Sequence, residues 1–141
     1  MKQDVWNRRY AVDEYIFGTE PSDILSKNSD LFQSGERALA IADGEGRNGV
    51  YLASLGLQVT SFDISEVAIQ KAKKLAAQQR VELTILESDI ESWHWESAAF
   101  DAVIGVFFQF LDPAARADAF AGMMTTLKPG GLVFLRGYTP K

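Results

Sequence analysis

The chain has 141 residues, within the span of about 100 to 200 residues usual for one domain, so a single domain over 1–141 is expected. With 47% apolar and 23% charged residues it can build an ordinary core, which excludes disordered and collagen-like classes; with no Cys and one His it excludes disulfides, thiolate metal sites and a multi-His cage, and no metal is expected. The net charge of -5 and sequence pI near 4.8 argue against a general binder of nucleic acid or anionic membranes, because polyphosphate surfaces attract basic patches.

In chain order, residues 1–36 read as a mostly helical lead-in around Trp6, Tyr10, Tyr15 and Phe17, broken at Gly18-Thr19-Glu20-Pro21. Its start, Met1-Lys2-Gln3-Asp4, lacks the apolar stretch of a signal peptide, and no apolar run is long enough for a membrane span, so a cytoplasmic location is expected. Ala38 to Ala42 reads as a short buried strand, followed by the glycine-rich turn Asp43-Gly44-Glu45-Gly46-Arg47-Asn48-Gly49 and a helix over 50–55 that Gly56 stops. Val59 to Asp63 is the second strand. Ser65 caps a helix whose Ala68, Ala72, Leu75 and Ala76 share one face.

Val81 to Leu86 alternates as an edge strand would, and Phe100 to Phe108 is nearly all apolar, as suits a central strand covered on both faces. Asp112-Pro113 starts a helix with a buried stripe of Phe120, Met123, Met124 and Leu127. Lys128-Pro129-Gly130-Gly131 ends it, and Leu132 to Leu135 is the fifth strand. Alternating strands and helices predict an α/β fold: a doubly wound, Rossmann-like, mainly parallel sheet of about five strands in order 3-2-1-4-5, with helices on both faces. Ligands in such sheets bind at the carboxyl ends of the strands beside the switch point, which here is the turn after strand one.

Gly44-x-Gly46-x-x-Gly49 follows a strand and opens a helix, and Asp63 lies about 20 residues further on, where it can accept the ribose hydroxyls of an adenosine. Two ligand classes fit, dinucleotides and S-adenosylmethionine; a plain tight turn is the third possibility. Asp43 and Glu45 lie where a dinucleotide would place its pyrophosphate, at a cost of about 3 kcal/mol per like-charge pair at 5 Å and an effective dielectric near 20. S-adenosylmethionine instead brings a sulfonium, an ammonium and one carboxylate, and the helix N-terminus can receive the carboxylate.

Four segments resemble the class I S-adenosylmethionine-dependent methyltransferases: Asp43 to Gly49, Phe62-Asp63-Ile64-Ser65, Glu87-Ser88-Asp89-Ile90, and Phe100-Asp101-Ala102-Val103 followed by Leu127-Lys128-Pro129-Gly130-Gly131. The lead-in, with Trp6-Asn7-Arg8-Arg9-Tyr10, is similar to that of the tellurite-resistance-type and thiopurine-type small-molecule subgroup. The resemblance implies S-adenosyl-L-methionine as cofactor and a small-molecule methyl acceptor. It implies that Asp43, Gly44, Gly46 and Asn48 meet the cofactor at the turn and that Asp63 holds its ribose hydroxyls. Ile64 and Ile90 would sandwich the adenine, Asp89 would accept from its exocyclic amine, and Gly105, Val106 and Phe107 would line the pocket after strand four. The acid usual in the family's first strand and the first glycine of its turn are Ala40 and Ala42 here. The last two strands of the family are expected to be missing. A catalytically incomplete cofactor-binding or interaction module is therefore the alternative to an enzyme, and a nicotinamide-dependent oxidoreductase is a third.

Of the other conspicuous residues, His94 reads as a solvated loop residue, and Trp93 and Trp95 as packing residues. Tyr10, Tyr15 and Phe17 either close over the cofactor or pack a helix on the sheet. Gln109 and Asp112 lie at the ligand-facing edge, Arg47 either steers an anionic acceptor or holds the turn, and Lys71, Lys73 and Lys74 read as a solvated face. No catalytic residue is assigned, because in-line methyl transfer can proceed by alignment and desolvation alone. The apolar strand Leu132 to Leu135 would be a bare edge, for which a homodimer through that edge is expected.

Overall fold

The computed structural model describes residues 2–12, 14–15, 18–106 and 113–136. A lead-in helix α1 (Lys2–Tyr10) is followed by the short α2 (Asp23–Ser26) and a 3-10 turn over Ser29–Leu31. Strands and helices then alternate as β1 (Arg37–Ile41), α3 (Arg47–Ser54), β2 (Gln58–Asp63), α4 (Glu66–Gln79), β3 (Thr84–Glu87), β4 (Phe100–Val106), α5 (Pro113–Thr126) and β5 (Leu127–Arg136). All pairings are parallel, and the five-stranded sheet runs β3-β2-β1-β4-β5, the order expected.

The period of two along each strand divides the core between the two faces of the sheet. Leu39, Ile41, Phe62 and Val103 point to one face, where Ala119 and Met123 of α5 cover them together with Ile90. Ala38, Val59, Ala102 and Ile104 point to the other, beneath Leu52 of α3 and Leu25 of α2. Leu75 and Ala76 of α4 close the core against Val50 of α3. Phe62 and Met123 are essentially sequestered from water, and burial of such a side chain contributes about 1.5–3 kcal/mol. Ser65 caps α4 as expected, its hydroxyl accepting from the Ala68 amide at 3.1 Å.

Several boundaries and one face differ from expectation. Strand three begins at Thr84 rather than Val81, and Phe107 and Phe108 of the expected fourth strand lie outside the described residues, as do Phe17, Gln109 and Asp112. The segment Lys128-Pro129-Gly130-Gly131 is no free turn. It forms an irregular start to a ten-residue β5, whose register against β4 slips between Phe100 and Ala102 before Leu132–Leu135 pair with Ala102–Gly105. The stripe expected on α5 holds only in part: Met123 is buried as expected, but Phe120 and Met124 are 38% and 58% exposed, and Ala119, Gly122 and Thr126 face inward beside Met123 instead. Trp95 supplies the reason, since its indole ring occupies the space where a side chain on Gly122 would begin. Small residues let α5 approach that ring closely, while Phe120 and Met124 turn outward and Met123 stays in the core.

Candidate cofactor site

The sheet places its site by topology. The chain leaves β1 toward β2 on one side, and β4 later takes the other side, so the carboxyl end of β1 is the switch point. The turn there is held from both sides. Asp43 donates its amide to the Phe62 carbonyl at 3.0 Å, and Gly44 donates its amide to Asp63 Oδ1 at 3.0 Å. Gly44 and Gly46 have φ of 58° and 89°, values that L side chains rarely adopt. Close approach demands glycine as well: a Cβ on Gly44 would lie 2.8 Å from the Tyr10 hydroxyl, and one on Gly46 would lie 2.7 Å from the Ala72 Cβ. Ala42, where the resembled family has glycine, also has a positive φ of 48°.

Asp63, the residue expected to hold the ribose hydroxyls, has both of its oxygens engaged within the chain. Oδ1 takes the Gly44 amide, and Oδ2 takes the Ser65 amide at 2.9 Å. Burial raises its pKa, opposed by the hydrogen bonds from the Ser65, Gly44 and Ile64 amides. Asp43 Oδ2 accepts the Gly49 amide at 3.1 Å inside the first turn of α3. Burial pushes its carboxyl up to about 7, helped by the neighbouring Asp63 charge and opposed by the Gly49 amide and Arg47. Tyr10 is buried, stacked on Trp6 at 5.7 Å, and its hydroxyl is held well above the ordinary phenol value by burial and by Asp63, Glu45 and Asp43.

Asn48 is turned toward the lead-in, where its Oδ1 accepts the Ser22 amide at 2.7 Å. Asp89 Oδ1 accepts the Glu91 amide at 3.0 Å in its own turn. Ile64 is half-buried, and Ile90 is buried beside Phe62. Both follow strands that end on the same edge of the parallel sheet as β1. Gly105 sits near the end of β4 between Ile41 and Leu135. Val106 ends that strand, and Phe107 lies outside the described residues. His94 is exposed; Trp93 stacks on Phe62 with ring centroids 4.2 Å apart, so both tryptophans serve packing.

Three lead-in and helix residues take roles that their local sequence does not signal. Lys71, expected on a solvated face, has a side chain only 13% exposed, and its Nζ lies 2.7 Å from Glu45 Oε2. Asn7 Oδ1 accepts the Ser65 hydroxyl at 2.7 Å, and Ser22 binds Asn48. The available signal for Lys71 was its spacing, three residues after Ala68 and four before Leu75, at the border of the apolar stripe. Because Lys71 balances Glu45 and Asp43 holds its proton readily, charge repulsion by this turn is weaker than the sequence suggested. It does not by itself separate dinucleotides from S-adenosylmethionine.

The family does separate them. Residues 38–131 match the methyltransferase domain family, and the chain belongs to that family. Among curated proteins it is similar to the tRNA (uracil(54)-C(5))-methyltransferase of Pyrococcus horikoshii, 32% identical and covering 72% of this chain and 28% of that enzyme. Its fold superposes with a TM-score of 0.83 on phosphoethanolamine N-methyltransferase 1 of Haemonchus contortus, solved with phosphoethanolamine and S-adenosylhomocysteine; identity is 19%, over 98% of this chain and 32% of that one. It superposes with a TM-score of 0.70 on a TehB-like SAM-dependent methyltransferase from Corynebacterium glutamicum, at 20% identity over 94% of this chain and 68% of that one. The chain spans 28% to 38% of the length of the curated relatives it matches.

Proposed function

We propose that this domain binds S-adenosylmethionine at the Asp43–Gly49 turn and transfers its methyl group to a small-molecule acceptor. The observation that carries the reading is the buried Asp63–Gly44 hydrogen bond, which joins the acid ending β2 to the glycine turn at the start of α3 in a member of the methyltransferase domain family. The residues present suit the cofactor. The Asp63 carboxylate accepts the Gly44, Ser65 and Ile64 amides, which leaves about one of its four lone-pair sites as acceptor capacity for a ribose hydroxyl. The N-terminus of α3 suits the ligand carboxylate, and Ile64 and Ile90 offer apolar surface for adenine at the neighbouring strand ends. Asp43, Gly46, Asn48, Asp89, Gly105, Val106 and Phe107 complete the proposed site.

The cofactor supplies a methyl carbon already activated by its sulfonium. The acceptor's lone pair forms a bond to that carbon as the carbon–sulfur bond breaks, and S-adenosylhomocysteine leaves. What the chain contributes is alignment and exclusion of water, so no nucleophilic side chain is required.

A small acceptor is favoured by the net charge of -5, which opposes polyanions, and by the likeness to the TehB-like and phosphoethanolamine enzymes. The likeness to a tRNA methyltransferase supports RNA as the second reading. No helix of the described residues is long and apolar enough to cross a membrane. A homodimer through β5 belongs to the same reading, supported by the position of the uncharged apolar segment Leu132 to Leu135 at the edge of the described five-stranded sheet; a monomer across a wide range of concentrations in sedimentation overturns it.

Calorimetry with S-adenosylmethionine, S-adenosylhomocysteine and NAD tests the cofactor: binding of the first two is expected, and binding of NAD alone overturns the proposal. Methyl release from labelled cofactor is then followed with amine, thiol, carboxylate and metalloid acceptors and with tRNA. Turnover only with tRNA establishes the second reading, and binding without turnover marks a cofactor-binding module.

A further inference from the structure

Of the three lysines on α4, Lys73 and Lys74 are exposed, whereas Lys71 reaches inward beneath the glycine turn. Its Nζ lies 2.7 Å from Glu45 Oε2, and the Glu45 side chain is 3% exposed. The same ammonium donates to the Glu14 carbonyl at 2.6 Å and stands 5.6 Å from the Tyr15 ring, whose hydroxyl donates back to the Lys71 carbonyl at 2.9 Å. Lys71 is therefore fixed by three groups outside its own helix. Glu45 directly precedes Gly46, the residue that caps the N-terminus of α3.

This arrangement bears on which charge the turn can accept. A helix N-terminus attracts an anion through its unpaired amides, but a carboxylate placed beside it competes for the same amides and repels an incoming anion. Buried ion pairs add little to stability, while removal of one partner leaves an uncompensated charge that the surroundings must accommodate. Lys71 both neutralises Glu45 and draws it toward α4.

We infer that Lys71 is a positioning residue for the cofactor: by holding and neutralising Glu45 it keeps the N-terminus of α3 receptive to a ligand carboxylate. The inference rests on the proposed binding of S-adenosylmethionine at this turn. Neither residue needs to touch the ligand.

The test is a charge-balance cycle read by calorimetry with S-adenosylhomocysteine, in wild type, Lys71→Met, Lys71→Arg, Glu45→Gln and the double variant, each checked by thermal unfolding without ligand. Lys71→Met is expected to weaken binding by about tenfold, or about 1.4 kcal/mol, because it removes the cation that lies 2.7 Å from Glu45 Oε2 beside the N-terminus of α3. Glu45→Gln in that background restores affinity to near wild type, and Lys71→Arg stays close to wild type throughout. A merely structural lysine predicts that the double variant binds no better than Lys71→Met, and that result overturns the inference. So does an unchanged affinity in Lys71→Met. If Lys71→Met does not fold, the double variant decides alone: near-wild-type binding supports the inference, and a folded double variant with weak binding overturns it. Wild type that fails to bind S-adenosylhomocysteine overturns the cofactor reading itself, an outcome distinct from failure of the charge rescue.

Discussion

Asp63 Oδ1 accepts the amide of Gly44 at 3.0 Å, so the acid at the end of β2 holds in place the turn that follows β1. Its second oxygen holds the Ser65 amide at the start of α4. Asp63→Ala leaves both amides without this acceptor, at about 1–3 kcal/mol for each that stays buried and unpaired. Urea unfolding is expected to show a clear loss of stability, smaller for Asp63→Asn, which keeps one acceptor oxygen. Weaker S-adenosylhomocysteine binding should accompany it. A variant as stable as wild type would mean that the two amides find other partners.

Ala42 has a φ of 48° at the carboxyl end of β1. A left-handed alanine costs roughly 1–2 kcal/mol, of which a glycine recovers all but the roughly 0.4–1 kcal/mol it adds to unfolded-chain freedom. Ala42→Gly should therefore raise the melting temperature by about 2–4 °C for each kcal/mol gained at this chain length. A lower melting temperature would show that the methyl group packs favourably enough to offset the strain.

The pH dependence of stability has a definite sign. In the unfolded chain Asp43 ionises near the ordinary value of 3.8, whereas in the fold its carboxyl is pushed up to about 7 by burial, with Asp63 adding to the effect. Between those values the folded chain binds more protons than the unfolded one, so the Asp43 contribution lowers stability as pH rises, and levels off above the folded value. Asp63, also raised by burial, acts in the same direction. Urea midpoints at pH 5, 6, 7 and 8 should fall for wild type relative to Asp43→Asn, whose slope is flatter. Parallel slopes would place the titrating group elsewhere.

Trp95 fills the space above Gly122 on α5. Gly122→Ala must displace the ring or the helix, an overpacking that costs about 1–3 kcal/mol despite the better helix propensity of alanine. In a Trp95→Leu background the same substitution should cost less or become stabilising, because the two residues are direct neighbours and their effects are not additive. Equal effects in both backgrounds would show that the contact carries no energy.

Much of the fold was legible from short windows of sequence. The strand-turn-helix alternation gave the sheet order, Ser65 announced the start of α4, and Pro113 announced that of α5. These features are encoded locally, in side-chain period, capping chemistry and backbone freedom. The α5 face was misread because Ala, Phe, Gly and Met occur all around that helix, so its periodicity alone does not choose between a large-residue stripe and a small-residue one. The extent of β5 was misread because Pro129, Gly130 and Gly131 look like punctuation, whereas pairing with β4 carries the chain through them.

By itself, the sequence determined the doubly wound parallel sheet, the glycine turn at its switch point and the acid that ends β2. Each depends on residues within a few positions of one another, and the order of the motifs followed from chain direction. Only the tertiary structure decided how charge and hydrogen bonds are shared at the site. Asp63 reaches back to Gly44, Asn48 turns to Ser22, and Lys71 crosses from α4 to Glu45. These partners lie far apart in sequence, and the strength of a hydrogen bond or ion pair depends on distance in space and on exclusion of water, neither of which periodicity records.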